Sequence, residues 1–99
     1  MNRVEITPQE TGGFLLTGAM TFETVPALWR QSTALFDNGD SVMLDLHGIT
    51  HTDSAGLALL IEWLRIARGK NRAIVFKNIP PQMMSIARAS GLEQILPLS

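Results

Sequence analysis

Leu44-Asp45-Leu46, the short polar run His47-Gly48-Ile49-Thr50-His51, and then Thr52-Asp53-Ser54-Ala55-Gly56-Leu57-Ala58-Leu59-Leu60 together decide the fold. Ahead of the polar run, Val42, Met43, Leu44 and Leu46 are almost continuously apolar, as in a strand buried on both faces of a parallel sheet. Behind it, Leu57, Leu60, Ile61 and Leu64 recur at helical spacing, which predicts a helix from about Ser54 to Arg68. Asp53 or Ser54 can cap its start by accepting a backbone N–H. Gly69 stands where a helix C′ glycine is expected, with Arg65 and Arg68 in the last turn. A strand feeding a helix of this length is the first half of a parallel crossover.

Working outward, Val4 and Ile6, then Phe14, Leu15 and Leu16, read as two strands of a hairpin that turns at Pro8 and Gly12-Gly13 and ends at Gly18. Val25, Leu28, Trp29, Ser32, Leu35 and Phe36 fall at helical spacing; Pro26 belongs near the start, and Thr21 or Thr24 could be the cap. Asn38-Gly39-Asp40 reads as a turn. Ala73-Ile74-Val75-Phe76 is another buried strand. Pro80-Pro81 opens a third helix with Met83, Ile86 and Ala87 on its core face. Gly91-Leu92 stops that helix, and Ile95-Leu96 is expected to add a last short strand. The order β-β-α-β-α-β-α predicts a single α/β domain over residues 1–99: a mixed four- to five-stranded sheet, an N-terminal antiparallel hairpin and about three helices.

Composition narrows the function classes. Ninety-nine residues, 45% hydrophobic and 17% charged, suffice for one core, since folding at this size buries roughly two-thirds of the chain's surface. A net charge of -1 removes the electrostatic attraction expected of a nucleic-acid or anionic-membrane binder. With no cysteine, disulfides, thiol catalysis and cysteine-ligated metals are out of reach, which fits a cytoplasmic setting. Met1-Asn2-Arg3-Val4-Glu5-Ile6 has no apolar signal-peptide region. The apolar run Leu57 to Ile61 is far short of the ~20 residues of a membrane helix, so no direct insertion into a membrane is expected.

The densest chemistry lies between Asp45 and Gly56. Serine, histidine and aspartate all occur there, but a nucleophile elbow needs glycine two residues before Ser54, and position 52 is threonine. His47 and His51, flanked by Asp45 and Asp53, are spaced for a metal only on a helix, and Gly48 following a strand argues against one. No cofactor, metal or catalytic residue is therefore assigned. A helix start that presents Ser54 is a third reading: free N–H groups and the positive dipole end would support a phosphate there. A plain helix cap explains the same residues.

Leu59, Trp63 and Ile66 form a second apolar stripe on the Ser54–Arg68 helix, and only Glu62, Arg65 and Arg68 leave a polar strip. That arc is wider than one side of a small sheet requires. A partner surface anchored by Trp63 is the expectation; cover by the first or third helix, or self-association, are its alternatives. The cluster Arg65, Arg68, Lys70 and Arg72 reads as a solvated helix end.

Leu44-Asp45-Leu46 and Thr52-Asp53-Ser54-Ala55-Gly56-Leu57, in their strand–loop–helix setting, resemble the STAS domain family, which includes bacterial anti-sigma factor antagonists. Leu28-Trp29, Gly56-Leu57-Ala58-Leu59-Leu60 and Ile95-Leu96-Pro97 make the chain most similar to the MlaB-like branch, the small STAS subunits of Mla phospholipid-transport ABC systems. This resemblance implies a non-enzymatic cytoplasmic subunit that binds the ABC ATPase, with its permease, at the inner membrane and supports assembly and ATPase activity. Thr52 and Ser54 would lie at the contact, Leu59, Trp63 and Ile66 would add apolar area, and Asp53 would hold the helix start. In antagonists the residue matching Ser54 is phosphorylated by an anti-sigma serine kinase, which is the alternative role. Ala55 replaces the second serine common among antagonists.

Overall fold

A computed structural model describes residues 3–10, 12–37 and 41–96. The predicted turn at Asn38-Gly39-Asp40 and Pro97 lie outside these residues. Strands β1 (Val4–Pro8), β2 (Phe14–Met20), β3 (Ser41–Thr52) and β4 (Ala73–Lys77) form one sheet in the order β1-β2-β3-β4. The β1-β2 pair is antiparallel, and β2-β3 and β3-β4 are parallel. Helices α1 (Val25–Ser32), α2 (Ser54–Gly69) and α3 (Pro81–Ala89) complete a mixed α/β domain.

Val42, Leu44 and Leu46 of β3 are buried while Met43 and Asp45 between them are half-buried, so the helices cover one face of the sheet. α2 packs against both α1 and α3 and is the central helix of that layer. Leu16, Leu44, Leu60, Trp63, Phe76 and Met83 are among the side chains that fill the core.

Four local readings change. The hairpin does not end at Gly18: β2 continues to Met20, and Gly18 (φ +100°) accommodates an irregularity where Ala19 N donates to Arg3 O at 2.8 Å. The polar run after Leu46 is not a loop, because β3 keeps pairing with β2 as far as Met20↔Thr52. α2 closes at Asn71 (φ +55°) rather than Gly69, and Arg72 N reaches back to Ala67 O at 2.8 Å; asparagine tolerates this left-handed position. Ile95-Leu96 adds no strand: Glu93–Ile95 is a 3-10 turn that delivers Leu96 to the core, and the sheet has four strands.

Candidate functional site

β2 and β3 run parallel as neighbours and finish level, so the segments that follow them emerge side by side. The C-terminal edge of parallel strands is where α/β folds place their sites. Thr52 Oγ1 donates to Met20 O at 2.9 Å, and Asp53 N donates to the same carbonyl at 3.4 Å. Thr52 N in turn donates to Gln82 Oε1 of α3 at 3.3 Å. Buried and fully engaged, Thr52 offers nothing to a partner, which corrects its expected place at the contact.

Asp53 is the α2 cap, in extended backbone (φ -131°), its Oδ1 accepting from Ala55 N at 2.9 Å. Its Oδ2 accepts from Phe22 N at 3.1 Å. Both oxygens thus go to backbone amides rather than to an imidazole. Ser54 is exposed at the first position of α2. His47 and His51 are exposed on β3, and among the described residues no three His, Cys, Asp or Glu side chains are grouped to hold a metal ion.

The second apolar stripe of α2 faces inward. Trp63 is wholly buried and its Nε1 donates to Ser32 Oγ of α1 at 2.8 Å; Leu59 is buried and Ile66 half-buried. The arc is wide because α2 is the middle helix, burying one stripe on the sheet and another beside α1. Trp63 and Leu59 are therefore core residues, a correction to their expected role as docking surface.

The accessible apolar surface lies next to that stripe. Phe22, Pro26, Trp29, Ala55, Ala58 and Leu59, with Val25 and Glu62, line a groove of about 500 Å³ between α1 and α2. Phe22 is 82% exposed. It sits at the tip of a turn closed by Thr24, whose hydroxyl accepts from Thr21 N at 2.9 Å and donates to Ala19 O at 2.7 Å. Sequence reasoning missed Phe22 and Pro26; the available signal was a large aromatic inside the polar tetrapeptide Thr21-Phe22-Glu23-Thr24.

Charge around the site is locally matched. Hydrogen bonding from Arg65 holds the Glu62 carboxyl below its usual range, against a smaller opposing effect of burial. On β3, partial burial raises the Asp45 pKa, but hydrogen bonds from Asn78 Nδ2 and His47 N, with the nearby His47 and Lys77 charges, bring it below its ordinary value. Lys70 Nζ pairs with Asp37 at 2.9 Å, and Arg72 Nη2 donates to Asp37 O at 3.4 Å, so part of the basic cluster ties α2's end to the segment after α1.

No helix among the described residues is long and apolar enough to cross a membrane. Comparison with curated proteins finds no match. The family model described as "Mlab, STAS domain" matches residues 6–97, which spans every strand and helix of the fold except the start of β1. The Asp53-Ser54 helix start, the mixed sheet with its hairpin and this match lead to one conclusion: the chain belongs to the MlaB-like STAS domain family.

Proposed function

We propose that this STAS domain is a non-enzymatic subunit that docks on the ATPase of an Mla-type ABC transporter and supports its assembly and activity in phospholipid transport. In this reading it works in the cytoplasm, held at the inner membrane by that ATPase and its permease. The observation that carries the proposal is Phe22, 82% exposed over an apolar groove, tied through Asp53 to the segment that presents Ser54. An exposed aromatic beside an apolar concavity is the usual form of a binding hot spot. Membership of the MlaB-like family supports an ABC transporter component as the class of partner.

The test is a pull-down of the tagged protein from detergent-solubilised cells. Recovery of an ABC ATPase with its permease supports the proposal, and recovery of a soluble serine kinase alone overturns it. With the recovered ATPase, Phe22→Ala is expected to weaken binding by about 2 kcal/mol, as hot-spot aromatics do. Its folding stability should stay within roughly 0.5 kcal/mol, since the ring is solvent-exposed. Calorimetric binding and urea unfolding measure the two quantities separately.

One observation favours a second reading, an anti-sigma factor antagonist: Ser54 is exposed at the positive end of a 16-residue helix, where a phosphate would be stabilised. Ser54→Ala separates the two. A switched antagonist becomes constitutively active, whereas the transporter subunit keeps its ATPase affinity within about threefold, the small change expected of a surface substitution.

A further inference from the structure

We infer that Asp53 is a positioning residue for the docking surface, holding Phe22 over the groove while it caps α2. The inference rests on the docking role proposed above. Its two carboxylate oxygens have different partners: Oδ1 takes Ala55 N at 2.9 Å, on its own helix, and Oδ2 takes Phe22 N at 3.1 Å, thirty-one residues away. Thr21 and Thr24 anchor the two ends of the Phe22 turn through Ala19 O and through each other. The bond to Asp53 is the one that fixes the amide of the tip itself. An 82%-exposed aromatic makes few packing contacts of its own, so the placement of the backbone from which the ring projects depends on that bond. A carboxylate–amide bond is among the stronger kinds available for this. Helix capping alone does not need the second oxygen, because serine and asparagine cap as well as aspartate.

The test uses Asp53→Ser, Phe22→Ala and the double variant in the full chain. Asp53→Ser keeps a cap for α2 and cannot reach Phe22 N with a second acceptor. Its thermal unfolding should stay cooperative and shift by no more than the several degrees one hydrogen bond is worth, while the Phe22 amide exchanges with solvent about tenfold faster. Binding to the recovered ABC ATPase should fall about tenfold, and by less than twofold when Phe22 is already alanine. A purely structural cap would leave the Phe22 amide unmoved, and that result overturns the inference without touching the docking role. An equal loss with and without Phe22 also overturns it. If Phe22→Ala itself leaves binding unchanged, the docking surface is wrong, and amide exchange alone then decides whether Asp53 orders the Phe22 turn.

Discussion

Trp63→Ala is expected to lower folding stability by about 4 kcal/mol, because removing a fully buried tryptophan loses its transfer energy and leaves a cavity. A domain of this size has only about 5–15 kcal/mol in total, so the variant should lose between roughly a quarter and four-fifths of its stability. The side chain lies at the centre of the helix layer, and its indole N–H is satisfied by Ser32 Oγ. Ser32 is not orphaned by the change, since its hydroxyl still donates to Trp29 O at 2.9 Å. The cost is therefore packing, with little from polar groups. Trp63→Phe, which keeps most of the volume and loses one hydrogen bond, should cost about 2 kcal/mol. Urea unfolding followed by circular dichroism measures both. A Trp63→Ala protein that unfolds like the parent yet no longer binds its partner would put the residue back on the docking surface.

Gly56→Ala is expected to cost about 3 kcal/mol, at the upper end for overpacking. A methyl at position 56 would stand 2.3 Å from Thr52 Oγ1, 2.8 Å from Met20 O and 3.1 Å from Met83 Cε. The methionine end can move. The other two cannot separately, because Thr52 Oγ1 and Met20 O are bonded to each other. Alanine gains up to about 1 kcal/mol of helix propensity over glycine, which is too little to reverse the sign. Relief requires the first turn of α2 to lift away from the ends of β2 and β3. The same denaturation experiment, with amide chemical shifts of residues 19–24 and 52–58, shows whether it does. Parent-like stability would mean that the close approach of α2 to Met20 is soft.

Gly56, in the run Asp53-Ser54-Ala55-Gly56, thus acts through closeness of approach, which the string of residues records but does not explain. Other features were readable in advance for definite reasons. The element order was visible because β4 and the first half of β3 are short apolar runs and each helix has punctuation: Pro26 in the first turn of α1, Asp53 before α2, Pro81 at the start of α3 and Gly91 after it. The strand character of residues 47–52 was hidden because their polar side chains give no apolar pattern, and pairing with β2 alone extends the strand. Helical periodicity gave the width of the apolar arc on α2 and could not say what covers it. That depends on Ser32, thirty-one residues away, meeting Trp63. Phe22 carried only a partial signal: an aromatic among polar residues marks the position, but nothing in a tetrapeptide says whether the ring folds inward or stands in solvent.

The turn joining β1 to β2 sits at the start of β2, whereas Met20 and the Phe22 turn sit at its finish. Seven residues of strand put about 20 Å between the two ends. Gly12, in the β1-β2 turn, has open space around it but a φ of +97° that favours glycine, so an attachment belongs at the exposed Glu10 beside it. A fluorophore, an affinity handle or a surface linkage attached at that turn would leave the opposite end of the sheet unobstructed, so the hairpin tip is the natural handle by which to hold this protein while its other end is offered to a partner.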